Sequence, residues 1–243
     1  MNDLIQWPTA KWWNCTWSPM VGCHKISPAC QNCWAEFWGK RFHQSFAPHK
    51  GSHKSLPRHG QCFIGPVTDL FGDWRTTEDM GNDIIHAATR GWDADATYLW
   101  LTKRVGNMCD ALELAKQATR EHWFHNHYLG FTAENQEWYD RRFRESRQLP
   151  DWANWWISAE PLLGPIDFHF VDMQHKPSTV IVGCESGANR RLSDLSWIEQ
   201  IVEQCLENSI PVFVKQICLP PSKFTNKIEE FPPHLRIRQL GWL

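Results

Sequence analysis

The sequence predicts an α/β fold: a (β/α) barrel, full or partial and TIM-like, with about seven parallel strands in a single domain over residues 1–243. Three observations predict it. Short β-rich apolar runs recur along the chain, and each ends in polar or charged residues. Longer stretches of helical character separate them, which is the signature of βαβ units and a parallel sheet. A chain of 243 residues is also long enough to bury one sizeable core, and α/β barrels of this length form single domains.

In chain order the expected strands lie at 12–17, 62–67, 98–101, 128–131, 155–157, 180–182 and 212–214. An eighth strand is a further option at 235–240, directly after Pro232 and Pro233. Helices are expected at 33–42, 80–90, 109–124, 136–148 and 196–208. In the last of these, Leu195, Ile198, Ile201, Val202 and Cys205 fall at helical spacing. There is no fixed-period repeat and no low-complexity block.

Composition narrows the functional classes. The net charge of −2 gives no electrostatic case for a nucleic-acid coat protein, although a local basic patch remains compatible with it. No apolar run is long enough to span a bilayer. The first residues lack the basic start and apolar stretch of a secretory signal, so a cytoplasmic location is expected. In that reducing compartment the nine cysteines are expected to be thiols or ligands rather than disulfides. Sixteen tryptophans exceed ordinary usage; indoles serve either as core packing or as surfaces on which bases stack.

The strand ends carry chemistry. Asp69 follows the second run, and Thr102, Lys103 and Arg104 follow the third. Then come Thr132 with Glu134 and Asn135, Ser158 with Glu160, Glu185 with Ser186, and Lys215 with Gln216. A barrel places its active site at the C-terminal ends of its strands, so these groups are expected to converge over one mouth. Polar residues also end strands simply because loops are wet. Thr102, Lys103 and Arg104 cannot all share one face, since residues alternate along a strand.

The most informative segment is the loop after the first run. Cys23, Cys30 and Cys33 form C-x6-C-x2-C, with Pro19, Gly22 and Pro28 supplying turn chemistry. Thiolates ligate iron–sulfur clusters, and three protein ligands leave one iron of a cubane open to a small molecule. Structural zinc usually recruits four ligands, for which His24 or Cys15 is available. Three unligated buried thiols are the remaining option.

This loop resembles the cluster loop of the radical S-adenosylmethionine enzymes, particularly the spore photoproduct lyase-like branch. The spacing between Cys23 and Cys30 is three residues longer than that superfamily's usual C-x3-C, and Asn32 stands where an aromatic residue is common. Almost end to end, the chain also resembles a family of bacteriophage and bacterial proteins related to that superfamily. The shared motifs run from Trp17 to Cys23, Ser27 to Glu36, Asp69 to Phe71, Leu101 to Arg104 and Leu129 to Asn135. They continue from Ser158 to Pro165, Val182 to Gly187 and Phe213 to Gln216.

The resemblance implies a four-iron–four-sulfur cluster (4Fe–4S) on Cys23, Cys30 and Cys33 and S-adenosylmethionine as the second cofactor. It implies a cation for the methionine carboxylate, Lys103 or Arg104 beside Thr102, and Asp69 for the methionine amine. Glu134 and Glu160 are the candidates for the ribose hydroxyls. Gly183 and Gly187, flanking Glu185, would allow close approach to adenine or ribose. Lys215 and Gln216 are candidates to meet the substrate, and Cys184 to donate a hydrogen atom to a product radical. For each acid a buried, satisfied carboxylate is the competing role, and for Cys184 a small core residue.

His43, His49, His53 and His59 lie among Lys40, Arg41, Lys50, Lys54 and Arg58 in a basic stretch that could contact phosphates. The leading expectation is therefore a radical enzyme acting on nucleic acid or a nucleotide, served by a reductant protein such as flavodoxin or ferredoxin, with no membrane partner. One alternative is a non-catalytic zinc- or cluster-bearing phage protein that binds nucleic acid or a protein. Another is a barrel enzyme that does not use S-adenosylmethionine and in which the loop is structural.

Overall fold

The computed structural model describes residues 7–41, 45–51, 55–170, 173–187 and 189–243. The chain divides into two compact units. The amino-terminal unit comprises Trp13–Phe131 with Arg142–Asn154; the carboxy-terminal unit comprises Thr132–Arg141 and Trp155–Leu243 together with the residues up to Trp12.

In the amino-terminal unit, strands β1 (Cys15–Trp17) and β2 (Met20–Val21) precede a 3-10 turn at Pro28–Cys30 and helix α1 (Trp34–Arg41). There follow β3 (His49–Lys50), β4 (His59–Ile64), α2 (Thr77–Gly91), β5 (Asp95–Thr102), α3 (Val105–Ala118) and β6 (His127–Thr132). β1, β4, β5 and β6 lie side by side in parallel, with Trp17 opposite Ile64, Ile64 opposite Trp100, and Trp100 opposite Leu129. Tyr98, Leu99 and Trp100 are consecutive and buried, as expected of a parallel strand covered on both faces.

α2 starts where Thr76 caps it: its hydroxyl accepts from Asp79 N at 3.1 Å, and Glu78 and Asp79 favour the positive end of the helix dipole. It buries Met80, Ile84, Ala87 and Ala88. Gly81 lets α3 approach closely, because a β-carbon there would stand 2.7 Å from Leu114 Cδ2. β2 and β3 form a separate antiparallel pair that sequence reading did not anticipate.

In the carboxy-terminal unit, α4 (Gln136–Ser146) opens there and is followed by β7 (Asn154–Ala159), β8 (Val180–Gly183), α5 (Leu195–Glu207), β9 (Val212–Leu219) and β10 (Lys223–Thr225). β7, β8 and β9 are parallel neighbours, with Ser158 opposite Ile181 and Ile181 opposite Phe213. β10 returns antiparallel on β9. Asp194 caps α5, accepting from Ser196 N at 2.9 Å, and the helix buries Ile198, Ile201, Val202 and Cys205. Three indoles, Trp12, Trp156 and Trp242, pack edge to face with centroids 5.0, 5.6 and 6.4 Å apart.

The fold is thus mixed α/β, and seven strands among the described residues pair in parallel: β1, β4, β5 and β6 in one unit, β7, β8 and β9 in the other. Several boundaries need correction, among them the strand expected at 62–67, which lies at His59–Ile64. No strand spans 235–240: Pro232 and Pro233 turn the chain into a 3-10 segment ending at Leu235, and Arg238 makes one isolated antiparallel bridge to Phe213. The helix expected at 109–124 begins earlier, at Val105, and ends at Ala118, with a separate 3-10 turn at Glu121–Phe124. Lys215 and Gln216 do not end the seventh parallel strand but lie inside it, because β9 continues to Leu219 to pair with β10. Of the basic stretch, His43, His53 and Lys54 lie outside the described residues, as does Phe42 at the end of the first expected helix.

Candidate functional sites

In the amino-terminal unit, the cysteine loop leaves β2 and is held to its neighbours by backbone. Gly22 N donates to Val67 O, and Cys23 N donates to Phe46 O, both at 3.1 Å. Gly22 has φ of +87°, and a β-carbon there would stand 2.5 Å from Ala47 O, so only glycine fits. Cys30 ends the 3-10 turn, with its N–H on Ser27 O at 2.9 Å. The Cys33 carbonyl accepts from Phe37 N at 3.1 Å, which places that thiol at the first turn of α1.

All three thiols are half-buried, whereas Cys62, Cys109, Cys184, Cys205 and Cys218 are buried. Their environments differ. Burial and the Asp69 carboxylate push the Cys23 thiol up to about 11, while Cys30 adds repulsion. At Cys30 burial also opposes ionisation, but Lys103 and hydrogen bonds from Ile26 and Ser27 outweigh it and lower the pKa. A thiol favoured as thiolate is the form that binds metal. Cys30 and Cys33 both act on the Lys25 ammonium, so the three sulfurs share one electrostatic neighbourhood.

Beneath the loop stands a clasp. Asp69 Oδ1 accepts from Thr102 Oγ1 at 2.7 Å and Phe71 N at 3.2 Å; Oδ2 accepts from Lys103 N and Arg104 Nη1, both at 3.1 Å. A carboxylate has about four lone-pair positions, and four donors fill them. Arg104 is equally engaged: Nε donates to Asp73 Oδ2 at 2.8 Å, and Nη2 to the His24 carbonyl at 3.1 Å. Its guanidinium also stacks 4.9 Å over Trp74, whose ring meets His24 edge-on at 4.8 Å. Thr102 and Arg104 are buried, and Lys103 between them is half-buried. Lys103 has no ion-pair partner among the described residues, and it lowers both Cys23 and Cys30 electrostatically. Asp73, Trp74 and the His24 carbonyl were missed in the sequence; the only signal was their proximity to Asp69 and Cys23 along the chain.

In the carboxy-terminal unit, the predicted residues form a second group. Glu160, just past β7, pairs its Oε1 with Lys215 Nζ at 2.9 Å. The pair crosses β8 at Gly183, where a β-carbon would meet Glu160 Oε1 at 3.0 Å and Gln216 Cγ at 3.1 Å. Gln216 Nε2 donates to the Cys184 carbonyl at 2.6 Å. Cys184 is buried, and burial, then Cys218, pushes its thiol up to about 12. Glu185 is enclosed by Arg191, whose N and Nε reach Oε2 at 2.8 and 3.0 Å while Nη2 reaches Oε1. Glu134 is fully buried, and its carbonyl accepts from Leu163 N at 2.7 Å. Arg191 is a partner that sequence reading missed, six residues beyond Glu185. Gly187 has φ of +99° and open space around it.

The donor set of the loop is three half-buried thiols, one of them lowered, beside a cation. Among the described residues no three His, Cys, Asp or Glu side chains are gathered tightly enough to hold a single metal ion. Nor is any described helix long and apolar enough to cross a membrane.

Fold and site together define a mixed α/β protein with a three-thiol loop clasped to the end of a parallel strand. Over residues 8–227 the chain matches the family described as "Protein of unknown function (DUF5131)", and it belongs to that family. No curated protein and no solved structure matches it.

Proposed function

We propose that this protein is a radical S-adenosylmethionine enzyme built on a full or partial (β/α) barrel, working in the reducing cytoplasm on nucleic acid or a nucleotide with electrons from a reductant protein. The observation that carries the reading is the set of three half-buried thiols on one loop, with Cys30 lowered beside Lys103. Cys23, Cys30 and Cys33 would hold a 4Fe–4S cluster, and none of the other six cysteines is needed. When bound, that cluster supplies reductive cleavage of the cofactor's sulfonium, giving a carbon radical that abstracts hydrogen.

The chain's own residues divide the remaining work. Lys103, half-buried between two clasped neighbours, would hold the methionine carboxylate as a point charge. Asp69 and Arg104 fix the strand end and the loop backbone at His24, and so determine where the thiols stand. In the carboxy-terminal unit, Glu160 and Lys215 are the polar pair that can receive ribose hydroxyls or substrate. Glu134 is a second such acceptor. Cys184 as hydrogen donor and Glu185 as an acid remain part of this proposal, each needing its present packing to open.

Anaerobic reconstitution tests the reading. Four irons and four sulfides per chain, a brown absorbance, and 5′-deoxyadenosine on reduction with S-adenosylmethionine are expected. Cys30→Ala should lose cluster and product together, while Cys109→Ala keeps both. One tightly held zinc in oxygen-protected protein would favour the non-catalytic alternative and overturn this one.

A further inference from the structure

Helix α1 is packed inside out. It buries Ala35 and Gly39 and turns Trp34, Phe37, Trp38 and Arg41 outward. Trp34 is 50%, Phe37 67% and Trp38 49% exposed, three of the seven large apolar side chains so exposed among the described residues. An ordinary amphipathic helix buries its large apolar residues and shows its small and polar ones. Clustered exposed aromatics mark an interaction surface rather than scattered surface apolarity.

The flanking charge selects the partner. Glu36, the one acid in α1, is neutralised twice, by Lys25 Nζ at 2.7 Å and Lys40 Nζ at 2.8 Å, so the helix and its contacts carry a positive excess with Arg41. On the other side of the cysteine loop, β3 is paired to β2, and its His49 and Lys50 line a cleft of about 560 Å³. Val21, Ser45, Ala47, Pro48 and Gly51 also line it, and its described lining contains no acid. The loop thus runs from a cationic cleft before Cys23 to an aromatic, cationic helix after Cys33.

We infer that α1's outward face and the His49–Lys50 cleft bind single-stranded nucleic acid beside the cysteine loop. Bases stack on Trp34, Phe37 and Trp38, and phosphates meet Lys25, Arg41 and Lys50. Aromatic rings accept any base because every base has a π face, and backbone phosphates need only a cationic track. The inference rests on the nucleic-acid reading above and names the surface that receives the strand.

The test is fluorescence anisotropy of a labelled 15-nucleotide oligothymidine and an oligouridine with the full chain, without reductant or S-adenosylmethionine. Failure here therefore stays distinct from failure of cofactor cleavage. Binding should weaken steeply between low and moderate salt. The double variant Trp34→Ala/Phe37→Ala should weaken it about tenfold or more, and Lys50→Glu should weaken it and flatten the salt dependence. Trp92→Ala, an exposed indole at the end of α2, serves as a control that leaves affinity unchanged. Circular dichroism checks that each variant folds. No binding of either oligonucleotide, binding indifferent to these variants, or the same face instead capturing an acidic redox protein would each overturn the inference.

Discussion

The two units use the same sequence device, charged residues after a β-run, to opposite ends. In the amino-terminal unit Asp69 and Arg104 are buried and closed: four donors fill the carboxylate, and each guanidinium nitrogen has an acceptor. In the carboxy-terminal unit Glu160 Oε1 and Lys215 Nζ pair at 2.9 Å across a glycine, with side chains 11% and 24% exposed. A buried clasp whose carboxylate lone pairs are all filled holds structure, whereas a pair that solvent reaches lies where a ligand can compete for it. Exposure, rather than charge, separates scaffold from candidate chemistry.

The strongest way to break this contrast is Asp69→Ala. It strands a buried guanidinium and should cost about 3–5 kcal/mol, read as a lowered denaturant midpoint. A cost below 1 kcal/mol would mean that the clasp is not closed as described. Next is Gly183→Ala, whose new methyl must displace Glu160 or Gln216 at 3.0 and 3.1 Å. About 1–3 kcal/mol is expected, partly recovered when Glu160→Ala is added, as thermal melts of both variants will show.

Acid sensitivity sharpens the comparison further, because it should concentrate in the amino-terminal unit. His127 begins β6 fully buried among Tyr98, Trp100 and Phe124, and its Nδ1 accepts from Trp100 Nε1 at 3.0 Å. Burial, then His125, pushes its pKa down to about 3. The unfolded imidazole titrates near 6.5, so as pH falls the unfolded chain takes up the proton first. Stability from this group is therefore intact above pH 6.5 and drains by about 1.4 kcal/mol per unit as pH falls toward 3. His127→Gln should flatten denaturant midpoints over that window; an unchanged slope would refute it. The described histidines of the other unit, His169, His175 and His234, are exposed. The smallest effect belongs to Lys116→Ala, which removes a surface pair with Glu113 and should cost under about 0.5 kcal/mol in a urea melt.

Much of the fold was legible because short aromatic or β-branched apolar runs survive as strands wherever they are buried on both faces, as in β5 and β8. What sequence missed was non-local. β9 runs past Lys215 because β10 folds back onto it, and no pattern at 212–214 announces that partner. That Cys23, Cys30 and Cys33 sit on one loop was legible from the spacing, but not that all three are half-buried. The allocation of Arg104 to Asp69, 35 residues away, was not, since only the fold brings them together. Likewise the exposed face of α1 is invisible until Ala35 and Gly39 are seen to point inward.

The hydrogen bond from Arg104 to the His24 carbonyl joins residues 80 apart in the chain. It tethers the loop one residue after its first sulfur, and the 3-10 turn tethers it again at the second. The residues between these moorings form a span whose length can change without dragging either sulfur.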